Sequence, residues 1–218
     1  MKTIDRLFKS IILMLAMVFC TGMSAGNATA AQKTDMQETP ELLNIPLLWK
    51  PTVTVSSMGV IDLTVFKNRS FTIKPFNDLR ANPSEIGKNV EKKHSGKVLL
   101  VTTKDNVAAW LTDRFASILR EFEAPVVKEG GTMSLEADIV KFYVTEESVY
   151  KADIGLKIRV RSKTGDMIWA GMISVSDQNW GRSYKAENYY EVLSNACVDA
   201  VSALLKSDSF MQAVQKSK

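Results

Sequence analysis

The clearest pattern in this chain spans residues 150–162, where Ala152, Ile154, Leu156, Ile158 and Val160 alternate with Asp153, Lys157, Arg159 and Arg161. An apolar row facing a charged row at period two is what an antiparallel strand with one wet face looks like. Residues 132–145 before it and 167–177 after it read as two further strands. Glu146-Glu147 joins the first pair, and Lys163-Thr164-Gly165-Asp166 supplies a hairpin turn for the second. Upstream, residues 60–66 and 70–76 also alternate, with Asn68-Arg69 turning the chain between them and Pro75 placing the second strand's end at an edge. Val98 to Val101 predicts a short buried strand and Val126-Val127 the start of another. The charged stretch 77–97, with Pro83, Gly87 and Gly96, reads as a long loop.

Helical spacing appears twice. Val107, Trp110, Leu111, Phe115, Ile118, Leu119 and Phe122 share one face of a helix over residues 106–122, with Asp105 as its cap and Ala124-Pro125 as its stop. Leu193, Ala196, Cys197, Ala200, Val201 and Leu204 do the same over residues 189–205, and a short helical piece follows at 210–214. Strands, helix, three-strand meander, helix predict an α+β fold: two layers, an antiparallel sheet with two main helices packed on one face.

The N-terminus carries an address. Lys2, Arg6 and Lys9 precede the apolar run Ile11 to Phe19, and Ala28-Thr29-Ala30 suits signal peptidase. That apolar run is too short to span a bilayer, which takes about 20 residues. Residues 1–30 therefore read as an export signal, 31–52 as a linker carrying Pro40, Pro46 and Pro51, and 53–218 as a single domain in the bacterial periplasm. Leu42, Leu43 and Ile45 to Trp49 are more apolar than a free linker requires, so this strip packs on the domain or docks elsewhere. Cys20 raises lipidation and outer-membrane association as an alternative. Met17-Val18-Phe19 before it lack the small residues that lipoprotein processing needs, which argues against membrane attachment.

Charge and cysteine content exclude more than they assign. Without the signal's three basic and one acidic residues, the formal charge of +4 falls close to neutral, which gives no argument for nucleic acid. Only Cys197 follows the signal, so no internal disulfide can form, and its place on an apolar helical face reads as buried and inert. His94 is the sole histidine and sits among charged residues, which leaves no multi-histidine metal site. Neither Ser95-Gly96-Lys97 nor Gly130-Gly131-Thr132 has nucleotide-loop spacing. No catalytic residue, metal ligand or cofactor is expected. The carboxylate pairs Glu146-Glu147 and Glu136 with Asp138 fit a turn and a wet sheet face.

Two segments carry the binding candidates. In Pro75-Phe76-Asn77-Asp78-Leu79-Arg80, Asp78 and Arg80 either pair to fix the loop or face a partner. In Asn179-Trp180-Gly181-Arg182-Ser183, Trp180 beside Arg182 has the composition of an interface anchor, or else Trp180 covers the end of the core.

The segment 75–80 with Ile86-Gly87, the helix around Trp110-Leu111, the strand pair at Tyr150, and Tyr189 with Leu193-Ser194-Asn195-Ala196 together resemble the YajG-type family of bacterial envelope lipoproteins, over roughly residues 70–215. The resemblance implies an α+β envelope domain of unassigned activity. Its members carry a lipidated cysteine, which the neighbours of Cys20 do not match. Auxiliary lipoproteins of lipid-handling transport systems share the general shape, as fold-level analogy.

These readings lead to a non-enzymatic periplasmic or envelope protein, an accessory or assembly factor that holds an envelope protein partner through Asp78, Arg80, Trp180 and Arg182. The alternative is a binder of a small lipophilic ligand, with Trp110, Phe115, Phe142 and Trp169 lining a cavity rather than filling a core.

Overall fold

A computed structural model describes residues 43–91, 96–182 and 184–217. The expected export signal, Cys20 and His94 lie outside these residues.

The meander supplies the frame. Strands β7 (Met133–Glu146), β8 (Tyr150–Ser162) and β9 (Met167–Asn179) pair antiparallel along their whole lengths. Ala152, Ile154, Leu156, Ile158 and Val160 are buried, as their alternation requires. In β7 the register shifts between Ile139 and Lys141. One extra residue reverses the parity of everything after it, so Leu135, Ala137 and Ile139 face the core first, and Phe142, Val144 and Glu146 face it afterwards.

The other edge of β7 corrects the expected architecture. Strands β2 (Phe71–Ile73), β3 (Asn77–Asp78) and β4 (Glu85–Asn89) run along it one after another, all parallel to β7. Beyond them, β5 (Leu99–Thr102) pairs antiparallel with β4, β1 (Leu43–Asn44) parallel with β5, and β6 (Val126–Val127) parallel with β2. The sheet is therefore mixed rather than antiparallel. Its direction follows from helix α1 (Val107–Glu121), which carries the chain back between β5 and β6 so that β7 starts from the same end as β2.

The stretch 77–97 accordingly holds two strands, not one loop. Pro75, without an amide to give, falls in the gap between β2 and β3. In β4, Gly87 is required rather than permissive, because a Cβ there would meet the Val144 carbonyl oxygen at 2.5 Å. Residues 60–66 form no strand: the Asp62 side chain accepts from the Thr64 amide at 2.9 Å, and the chain closes into the single turn Thr64–Phe66.

Three helices pack on the buried side instead of two. In α1 the cap is the Asn106 side chain, which accepts from the Ala109 amide at 2.9 Å, while Asp105 accepts from the Leu47 amide at 2.7 Å. Helix α2 (Ala186–Leu205) lies across β8 and β9, and α3 (Asp208–Lys216) seals Phe210 and Val214 beneath Trp169 and Phe66. Ile45 and Leu47 are buried, Trp49 meets Trp110 at 6.1 Å, and the amides of Lys50 and Thr52 donate to Ser194 and Asn195 of α2. The described part of the apolar strip, Leu43 to Thr52, thus lies against the rest of the domain, and Leu42 lies outside the described residues. Trp110 in turn meets Phe142 edge-on at 5.8 Å, and Phe115 meets Phe76 at 5.4 Å, so these rings fill space against one another. Cys197 is fully buried, and desolvation holds its thiol far above the usual range.

Candidate functional site

At the end of the sheet where β7 turns into β8, the link from β9 to α2 passes over a buried carboxylate. Glu146, the last residue of β7, is only 1% exposed. Its Oε1 accepts from the Tyr184 amide at 3.0 Å and its Oε2 from the Tyr189 hydroxyl at 2.7 Å. The Tyr150 hydroxyl lies 2.8 Å from both Glu146 Oε1 and the Arg182 carbonyl. It has one proton to give, and the carboxylate is the stronger acceptor. The two tyrosine rings meet edge-on at 5.1 Å. Burial, followed for Tyr189 by the adjoining carboxylate, raises both phenols well above their ordinary range and keeps them protonated donors.

This network holds Arg182 and Tyr184, in the link to α2, in place. Asn188, in the first turn of α2, donates from Nδ2 to the Arg182 carbonyl at 2.8 Å. Asn179 donates from Nδ2 to Glu191 at 3.2 Å. Gly181 lies so close to Asn188 that a Cβ there would stand 2.2 Å from Nδ2. Tyr184 takes a positive φ of 60° to bring its amide to Glu146. On this pinned backbone, Trp180 is 77% exposed and Arg182 is exposed beside it. Trp180 therefore does not cover the end of the core.

The Asp78–Arg80 segment behaves differently. Arg80 Nε and Nη2 donate to the two oxygens of Asp78 at 2.9 and 2.6 Å. Its Nη1 donates to the carbonyls of Glu85 and Phe142 at 2.8 and 3.2 Å, and Nη2 also to the Pro83 carbonyl at 2.6 Å. A guanidinium has five N–H donors, and all five are occupied. The side chain is 8% exposed, with its plane near the Phe142 ring. It closes the 80–85 loop onto the sheet.

The register keeps the two segments apart. Asp78 stands opposite Ile139, whereas Asn179 stands opposite Tyr150, which pairs with Glu146. That is roughly 20 Å along the strands and about 14 Å across three strand spacings. Trp180 and Arg182 form one surface; Asp78 and Arg80 belong to another.

On the open face, Glu136 and Asp138 are the partners of Arg159, whose Nε lies 2.9 Å from Glu136 and Nη1 2.7 Å from Asp138. Hydrogen bonding from that guanidinium holds the Asp138 carboxyl down at about 2. Among the described residues, no group of histidine, cysteine, aspartate or glutamate could hold a metal ion, and no helix is long and apolar enough to cross a membrane.

Sequence reasoning missed Glu146 as a network centre, placing it in a turn. A signal existed: Phe142, Val144 and Glu146 share one parity, so the glutamate had to follow two core residues inward.

The sequence matches no known family model, and no curated protein matches it. Among solved structures, the chain is similar to a DUF330 protein from Xanthomonas campestris at 14% identity and a TM-score of 0.45, over 74% of this chain and 94% of that one. It is also similar to the PelC dodecamer protein from Paraburkholderia phytofirmans, at 8% identity and a TM-score of 0.38, over 62% and 86%. A third similar chain, described as a lipoprotein, comes from Caulobacter crescentus, at 10% and 0.36, over 50% and 84%. The neighbours thus include lipoproteins, the YajG-type family is not singled out among them, and at these values the likeness assigns neither family nor activity.

Proposed function

We propose that this is a cell-envelope protein acting by contact rather than catalysis, an accessory or assembly factor that docks a protein partner through the Trp180 loop. One observation carries the reading: a large aromatic side chain, 77% exposed, is held beside a backbone pinned from beneath by Glu146 and Asn188. Exposing a tryptophan has no benefit for folding. Ordering its loop in advance does benefit binding, because the entropy of ordering is already spent when the partner arrives. Trp180 would be the anchor and Arg182 a rim contact able to meet a carboxylate.

The test compares wild-type protein and Trp180→Ala in affinity capture from crosslinked envelopes, with thermal unfolding of both. A protein partner recovered with wild type and lost with the variant, at unchanged Tm, supports the reading. Equal recovery of every partner by both proteins overturns it.

A further inference from the structure

The two edges of the sheet are finished differently. On one side the sheet ends in β1 and β6, two residues each, too short to template another strand. On the other side it ends in β9, thirteen residues long, whose only strand neighbour among the described residues is β8. Natural edges are blunted by lysine, proline or charge along the strand. From Met167 to Asn179 there is no lysine, arginine or proline, and the one charged residue, Asp177, is half-buried on the helix side.

The hydrogen-bond phase shows which groups are available. The Ser162 amide donates to the Asp166 carbonyl, and the Val90 amide to the Glu146 carbonyl, both at 2.8 Å. Together these turn the even-numbered residues of β8 toward β9 and, past the bulge at Ile168, the odd-numbered residues of β9 from Trp169 onward toward β8. Ala170, Met172, Ser174, Ser176 and Gln178 therefore point their amides and carbonyls outward, and all five residues are exposed. Among the described residues, none of these main-chain groups is bonded to another strand.

We propose that β9 pairs antiparallel, across a twofold axis, with β9 of a second copy of this chain. A register with Ser174 on the axis sets Met172 against Ser176 and Ala170 against Gln178, making about ten main-chain hydrogen bonds. It opposes no like charges, since Asp177 falls opposite Gly171. The same register joins two exposed apolar groups: Trp180, just past one end of β9, arrives beside Ile168 and Met167 at the other end of the partner strand, and Met167 is 48% exposed. Twofold symmetry makes that contact twice. A foreign strand would satisfy the hydrogen bonds, but a second copy also matches both ends. The edge pairing stands on β9 alone, and only the contact of Trp180 rests on the reading of that residue as an anchor.

Sedimentation of the purified protein over a range of concentrations tests this, alongside Ser174→Pro, Ser174→Ala and Trp180→Ala. Proline at 174 deletes an outward amide and leaves the β8 ladder whole. The expected result is a wild-type dimer, a Ser174→Ala dimer, and a Ser174→Pro monomer with a native circular dichroism spectrum. Trp180→Ala should weaken the dimer roughly tenfold or more. If Trp180→Ala dimerises at full strength while Ser174→Pro does not, the edge pairing holds and the Trp180 contact is overturned. Amide hydrogen exchange needs no variant: residues 170, 172, 174, 176 and 178 should gain protection as concentration rises. A wild-type monomer throughout, or a Ser174→Pro dimer, overturns the proposal.

Discussion

The Trp180 loop and the Asp78–Arg80 loop start from similar material, a few polar residues and an arginine at the end of a strand, and reach opposite outcomes. In the second, Arg80 turns inward and spends all five donors on Asp78 and on the carbonyls of Pro83, Glu85 and Phe142. In the first, the buried charge is Glu146, contributed by a different strand, and the loop's own Trp180 and Arg182 stay outside. The difference lies in where the hydrogen bonds come from. A loop that locks itself with its own arginine has consumed its recognition group; a loop locked from beneath by another element can leave Trp180 and Arg182 exposed to meet a partner.

The largest expected effect separates lock from display. Glu146→Ala removes the acceptor of two buried hydroxyls and an amide, and should cost roughly 3–5 kcal/mol, because orphaned buried donors lose their full desolvation. Denaturant unfolding would show this, and a loss below about 1 kcal/mol would mean that the network does not hold the loop. Arg80→Ala should cost about 2 kcal/mol, and Arg80→Lys should recover little of it, since an ammonium cannot reproduce a five-bond fork. Gly181→Ala should cost about 1–2 kcal/mol by displacing Asn188, and should weaken partner binding as well, which distinguishes the pinned loop from an independent one.

The open face provides a third and weaker network for contrast. Asp138 is held at about 2, below its ordinary 3.8, so its contribution is present above pH 4 and disappears as pH falls from about 4 to 2. Solvent screening leaves it on the order of 1 kcal/mol. Arg159→Ala should remove that part of the acid dependence in unfolding measured from pH 5 to pH 2. The smallest effect belongs to Trp180→Ala, within about 0.5 kcal/mol of wild type when unfolding is measured on the monomer at low concentration, since an exposed ring contributes little to folding. A larger loss would make Trp180 part of the core and dissolve the contrast between the two loops.

Much of the scaffold could be read from local pattern. Tyr150–Ser162 came out at its observed bounds because one face is apolar at every second residue. Both main helices followed from their spacing. What escaped were relations between distant segments. Alternation says that residues 71–73 are extended, but not that they run parallel to β7, which depends on the crossover through α1. β4 offers only Ile86 and Gly87 as apolar residues, so nothing local marks a strand paired on both edges. In the candidate site, Trp180 and Arg182 were legible as composition. The bulge after Ile139 changes the parity of β7, so only the short run Phe142, Val144, Glu146 beyond it signals that a glutamate turns inward. The inward use of Arg80 depends on carbonyls from residues 83, 85 and 142, the last of them 62 positions away along the chain.

Trp180 is displayed to be covered. A photo-crosslinking amino acid placed at Trp180 in intact cells tests it most directly, with the same residue at Val127, another exposed apolar position, as control. One discrete adduct is expected from position 180 and none from position 127, with adduct mass distinguishing a second copy of the chain from another envelope protein. No adduct from position 180, or the same diffuse products from both positions, would contradict it.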